Sequence, residues 1–423
     1  MAKRRALPAK GATSDRALVW TYGAAHGGKT LLWAASDLYF TFFMTEICGV
    51  APLYAGLAIG CSLLFAGLAD LVLVRWVSDF RSATGSARLQ AWGAFASVGA
   101  LLLFAAIAFL PPTIRLGAGI VTLFGFRAAY ALLDVPQNAL LALAPSNDEQ
   151  RRRLTAVRNG AGAIARTILA IAFVPVMAGA RPDTSFLLLV VVLVTMALGG
   201  AVMLARITPE RPPKASRAFP SPARAHDMLY LTAMMAVLTI MTTIFGQVEP
   251  YLAMYGMGGG LSAGAFLGTV AAGTVLSQTV WLRATVRAGP RSLLGWALAM
   301  MVVGSGLLVP AQRGGLGGVL AVGAAAALLY GIGAGGVLFV LWSGIAQSGA
   351  RGHALATIGR FTAIAKSAQG CAIIAVGAMF DGGFARTDGQ ALAMMMAAAT
   401  LVGAIVVAAL TWVCRRQRDA MLT

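Results

Sequence analysis

The chain has 423 residues, 59% of them hydrophobic and only 11% charged, with a mean hydropathy of +0.79. A soluble domain holds about 45–50% apolar residues, so this composition excludes a soluble enzyme, a secreted domain and a disordered tail. The net charge of +18 invites a nucleic-acid reading, which the placement of the charges along the chain decides against.

A basic segment, 1–16, opens the chain. Continuous apolar stretches follow near 17–44, 51–74, 91–110, 116–143, 154–180, 185–205, 228–256, 262–282, 292–309, 317–346, 355–380 and 389–413. At 1.5 Å per residue each spans a hydrocarbon core of about 30 Å as a helix. Their continuity, without apolar–polar alternation, disfavours a β-barrel. The first stretch is too long for the apolar region of a cleaved signal peptide. With both termini cytoplasmic, Lys and Arg number 23 on the cytoplasmic side, against only Arg115, Arg181, Arg313 and Arg386 on the other. That asymmetry is the positive-inside pattern. The basic excess therefore reads as topology and contact with membrane lipids, with no nucleic-acid partner, and the chain as a multi-pass protein of a bacterial-type inner membrane.

The Pro- and Arg-rich stretch 209–227 reads as a cytoplasmic linker. It separates an N-terminal six-helix half, 17–208, from a C-terminal one, 228–413, with a short tail, 414–423. The halves echo each other. Arg75, Trp76, Arg81, Gly85, Arg88, Leu89 and Trp92 follow the second span, and Trp281, Arg283, Arg287, Gly289, Arg291, Leu293 and Trp296 follow the eighth. The fold class expected is an all-α membrane protein of twelve transmembrane helices.

Some features carry no chemistry of their own. Cys48, Cys61, Cys371 and Cys414 are scattered and read as small core residues, with no disulfide framework, metal site or other cofactor implied. Gly331, Gly333 and Gly336 match a dinucleotide fingerprint literally, but they lie inside an apolar span without a preceding strand, so close helix packing is the better reading. Three scattered histidines leave no catalytic constellation.

The informative residues are ionisable groups inside spans, where each costs at least about 2.5 kcal/mol unless partnered. They are Lys29, Asp37, Asp70, Arg127, Asp134, Arg158, Arg166, Glu249, Arg360 and Lys366. By helical rise, Asp70 and Arg158 lie about 7 Å from the cytoplasmic end of their spans, and Asp134 and Lys366 about 15 Å. These four form one charged layer or, alternatively, salt bridges that only hold helices together. Arg166 and Arg360 read as snorkelling arginines. His26, Lys29, Thr30, Trp33 and Asp37 share one helix face, which either lines a cavity or packs on a neighbour. In span 7, Thr239, Thr242, Thr243, Gln247 and Glu249-Pro250 offer a gate near the outer end, or threonines bonded to their own helix.

The sequence also carries a family resemblance. Two six-helix halves joined by a cytoplasmic linker are similar to the major facilitator superfamily. Tyr130-Ala-Leu-Leu-Asp134-Val-Pro136, Arg153-Leu154, Arg158, Trp342 and Phe361-Thr-Ala-Ile-Ala-Lys366-Ser-Ala368 resemble the glycoside-pentoside-hexuronide:cation symporters. So do Tyr22-Gly23, Gly28-Lys29, Thr45-Glu46 and Gly49. The resemblance implies a substrate site between the halves near the bilayer midplane. It puts Asp134 and Arg158 at the substrate and Lys366 between the substrate and cation sites. The chain departs from that family at Thr30, where the family has Asp, and at Asn138, where it has Trp. Helix 2 holds only Asp70 where the family has two Asp, with Val74 or Ala66 at the second position. A lone buried carboxylate suits a proton better than sodium, which wants several oxygen ligands.

The function expected is secondary active transport of a polar, anionic organic solute by a proton-coupled monomer. Lys29, Thr30, Trp33, Asp37, Arg127, Asp134, Asn138, Arg158, Trp342 and Lys366 are the solute-binding candidates. Asp70, Asp134 and Lys366 are the candidates for proton coupling, and Glu249 for a gate. Proton-driven efflux, and a non-transporting receptor or assembly factor of the same fold, stay open as alternatives.

Overall fold

The computed structural model describes residues 10–42, 44, 49–76, 82–178, 184–208, 222–257, 260–313, 315–351, 353–384 and 387–420. Among them run α1 (Lys10–Phe42), α2 (Pro52–Trp76), α3 (Ala83–Ala106), α4 (Pro112–Leu143), α5 (Asp148–Ala178), α6 (Thr184–Ile207), α7 (Pro222–Tyr251), α8 (Gly260–Ala284), α9 (Pro290–Ala311), α10 (Gly315–Ala350), α11 (Ala354–Asp381) and α12 (Gly389–Ala420).

Local chemistry sets the ends of these helices. Ser82 caps α3 by accepting from Gly85 N at 2.9 Å, Asn147 caps α5 through Gln150 N at 2.8 Å, and Asp388 accepts from Gln390 N and Ala391 N ahead of α12. In each case a side-chain oxygen satisfies a donor that the first turn leaves open. Pro112 and Pro290 start α4 and α9, where the missing N–H costs nothing. Gly383, at φ +95, lets the chain reverse after α11.

Helix ends do not coincide with the expected segment bounds. Helix α1 begins inside the expected segment 1–16, α7 takes up 222–227 of the expected linker, and α12 runs past 413. Residues 1–9, the linker stretch 209–221, Thr45-Glu46 and 421–423 lie outside the described residues.

Ten of the helices contain a stretch long and apolar enough to cross a membrane. Among the described residues α1 and α5 do not reach that threshold, and these two carry His26, Lys29 and Asp37, and Arg158 and Arg166. Part of the interior charge thus falls on the two least apolar helices, and the rest, Asp70, Asp134 and Lys366, on helices of the apolar ten. Large apolar side chains such as Leu103, Phe109, Val121, Leu276 and Val402 lie on the outer surface, as expected where the solvent is lipid.

Within the first six helices α1 packs on α5 and α6, and α3 on α4 and α6; within the last six, α10 packs on α8 and α9, and α12 on α7 and α9. The two sets meet along α2–α11 and α5–α8. The glycine run of α10 permits the tightest approach. A Cβ on Gly331 would strike the backbone of Val270, and one on Gly336 the ring of Trp281. Cys61 and Cys371 are exposed and Cys414 half-buried, so these are not core residues; sulfur is small and apolar enough to sit against lipid. Cys48 lies outside the described residues.

Candidate functional site

The charges inside the bundle gather into one connected layer. Lys29 Nζ, on α1, donates to Asp134 Oδ1 at 2.8 Å and to Asn138 Oδ1 at 2.9 Å. Lys366 Nζ, on α11, donates to both carboxylate oxygens of Asp70 at 2.8 Å and lies 2.9 Å from Asp134 Oδ2. An alternating chain Lys29–Asp134–Lys366–Asp70 therefore crosses α1, α4, α11 and α2. All four residues are buried, and only mutual neutralisation makes that tolerable in low dielectric. Asn138 follows Asp134 by one turn and donates to its Oδ1 at 2.8 Å, holding the carboxylate toward Lys29.

An aromatic pair backs this chain. Trp33 and Tyr130 stand with ring centroids 4.7 Å apart, and Lys366 Nζ lies 5.5 Å from each. Arg127 flanks Trp33 on another side, its guanidinium carbon 4.2 Å from the ring centroid. Arg127 is fully buried and spends its donors on Asp37 (2.5 Å), Ser36 and Ser62 (3.2 Å each). These contacts tie Arg127 to Asp37, Ser36, Ser62 and the face of Trp33.

Arg158 differs from the other interior cations. Its guanidinium lies 3.5 Å from the centroid of Trp342, across the α5–α10 contact. It donates to the neutral oxygens of Asn159 at 3.0 Å and Asn138 at 3.4 Å. Among the described residues it makes no ion pair. It also hydrogen-bonds Tyr22 and lies in the field of Asp134, but with no carboxylate in direct contact a guanidinium stacked on indole keeps attraction for an anion.

Other candidates take quieter places. Thr30 Oγ1 bonds back to His26 O at 2.8 Å, and Thr242 Oγ1 to Leu238 O, the self-bonded threonine pattern. Glu249, half-buried one residue before Pro250, interacts electrostatically with Arg166 of α5. Arg166 and Arg360 are both exposed on their helices, and Arg166 lies in the field of Glu249.

The sequence reading missed Ser36 and Ser62, which hold Arg127. It also missed the Asn159–Gln278 bond at 3.3 Å between α5 and α8. Isolated hydroxyls and amides in apolar helices were the available signal.

The two sets of helices also meet where α10 packs on α4 and α5, and at the arginine-rich end Gln347 Nε2 donates to Asp148 Oδ2 at 3.2 Å. Toward the other end Arg166 is exposed and Trp33, Asp37 and Glu249 are half-buried.

Long apolar helices around an interior of paired charges fit a membrane transporter. The chain belongs to the family of MFS/sugar transport proteins, which it matches over residues 21–419. It is 26% identical over 160 residues to a putative sulfoquinovose importer of Escherichia coli (strain K12), a match covering 36% of this chain and 34% of that protein. The chain thus aligns with about a third of the length of this curated relative. Its fold is shared with the human organic anion transporter MFSD10, at a TM-score of 0.67 and 15% identity over 93% of this chain and 99% of that one. A bacterial homologue of the iron transporter ferroportin in its outward-facing state is equally similar, at 0.67 and 14% over 94% and 99%.

Proposed function

We propose that the protein is a proton-coupled symporter of a sugar-type, anionic organic solute, working by alternating access between halves 17–208 and 228–413. The observation that carries this reading is the sharing of one ammonium, Lys366, between Asp70 and Asp134. When Asp70 takes a proton, Lys366 has Asp134 as its remaining anionic partner. Asp134 is then shared more evenly between Lys366 and Lys29, and Lys29 is free to turn toward a solute anion beside Arg158. Proton uptake and anion binding thereby favour one another, which is what symport requires.

Lys29, Asn138, Arg158 and Trp342 are the solute contacts in this scheme. Asp70, Asp134 and Lys366 carry the coupling, Arg127 and Asp37 hold Trp33 in place, and Arg166 with Glu249 gates the outer side. The family supports a sugar-type solute, and the unpaired Arg158 supports a negative charge on it. Distribution of Lys and Arg supports cytoplasmic termini and an inner-membrane location, which makes the arginine-rich end cytoplasmic. The chain acts as a monomer in contact with lipids.

Purified protein in liposomes tests the reading. A set of sugars, sugar acids and sugar sulfonates is offered with and without an inward proton gradient. Uphill uptake of an anionic sugar driven by that gradient is expected. Uptake driven by sodium alone would overturn it.

A further inference from the structure

A cavity lies outside the charged layer, at the arginine-rich end where α5 and α10 come together. It encloses about 130 Å³ between the start of α5, the α8–α9 turn and α10. Its wall is two-sided. Leu293, Phe339 and Val340 give it an apolar floor, and Arg151, Arg152 and Ser343 give it donors.

Several of these donors are unused. Arg151 is 4% exposed, and among the described residues its Nε has no hydrogen-bond partner, nor has the buried Ser343 Oγ. A buried donor left unpaired costs about 1–3 kcal/mol, so an acceptor at this position is favoured. The acid on the wall, Asp148, is already engaged by Arg151 and by Gln347. Two arginines against that one carboxylate leave the cavity positive, and Arg351 adds to the field around Arg151. Bidentate oxyanion recognition is what such a guanidinium pair offers.

We propose that this cavity binds an amphiphilic oxyanion, a phosphate or carboxylate on Arg151, Arg152 and Ser343 with a small apolar body against Phe339 and Val340. Its walls come from both sets of helices, Arg151 from α5 and Ser343 from α10. Opening that end separates them and dismantles the site. An occupant therefore stabilises the closed end and slows the return to the opposite state, so the site is a brake distinct from the solute position near Lys29 and Arg158.

The test uses the full chain in phosphatidylcholine nanodiscs, titrated with inorganic phosphate or prepared with phosphatidylglycerol. Melting temperature is followed for the wild type, Arg152→Gln and Ser343→Ala. At least one probe is expected to raise the wild-type melting temperature by a few degrees through binding to the closed form. Phosphate acting in solution identifies a free anion as the source, and phosphatidylglycerol acting alone identifies a lipid headgroup. Arg152→Gln loses a charge-assisted contact and should weaken the apparent affinity about tenfold or more, with a smaller loss for Ser343→Ala. No stabilisation by either probe, or equal stabilisation of all three proteins, would overturn the proposal. Neither result depends on which solute is transported.

Discussion

Lys366 and Asp70 lie 296 positions apart and meet through both carboxylate oxygens at 2.8 Å, while the same ammonium reaches Asp134 at 2.9 Å. The unit is thus a four-membered chain, and this decides which double substitution is better tolerated by the fold. Removing Asp134 and Lys366 together strands Lys29 at one end and Asp70 at the other. Removing Asp70 and Lys366 leaves Lys29–Asp134 intact. Breaking a buried pair from one side typically costs about 3–5 kcal/mol. Asp70→Asn with Lys366→Ala should therefore be expressed and melt more like the wild type than Asp134→Asn with Lys366→Ala does. Thermal melts of both double variants check this, and neither should show coupled uptake.

Arg158 is expected to set affinity for the negative charge of the solute. Arg158→Lys keeps the charge but loses the planar stack on Trp342, and Trp342→Leu removes the platform. A desolvated cation–π contact is worth about 1–2 kcal/mol, so each change should weaken solute binding by about tenfold in a calorimetric titration. Unchanged affinity in both would move the anion site elsewhere.

Glycines of the last six helices separate into packed and open positions. Gly331→Ala places a methyl group against the Val270 backbone, whereas Gly306 has open space around its Cβ position. Overpacking typically costs about 1–3 kcal/mol, and Gly→Ala in a helix with room gains up to about 1 kcal/mol. Gly331→Ala should lower the melting temperature and Gly306→Ala should hold or raise it.

Topology has its own check. With other cysteines removed, Asn147→Cys before α5 should be protected in intact cells from an impermeant thiol reagent. Gly383→Cys after α11 should react. Reversed labelling would invert the assignment of sides.

Much of the fold was legible because a bilayer leaves few options: among the described residues the twelve apolar stretches became twelve long helices, and α5, capped by Asn147, starts ahead of the expected 154. The members of the charged layer were legible too, since an ionisable residue inside a span announces itself. Their pairing was legible in part: Asp134 and Lys366, at matching depth on helices of opposite halves, do meet at 2.9 Å, whereas Lys29 on Asp134 and Asp70 on Lys366 were not foreseen. Lys29 shares a helix face with His26 and Trp33, yet it reaches Asp134 on α4, and Arg127, notable in the sequence for its charge, is fully buried against Trp33, Asp37 and two serines. Which charges meet depends on helix rotation and crossing, and periodicity in a single helix holds no record of either. Asn138, first noticed as a departure from the family pattern, proved to bond both Lys29 and Asp134.

The central claim is that Asp70 carries the coupled proton while Lys366 moves between two carboxylates. Its most direct measurement is proton flux alongside solute flux in liposomes, for the wild type and Asp70→Asn. The wild type should take up protons with solute and accumulate the solute against its gradient. Asp70→Asn should still exchange labelled for unlabelled solute, because exchange needs no net proton release, but should neither acidify the lumen nor accumulate solute. Uphill, proton-linked uptake in Asp70→Asn at the wild-type level would contradict the account.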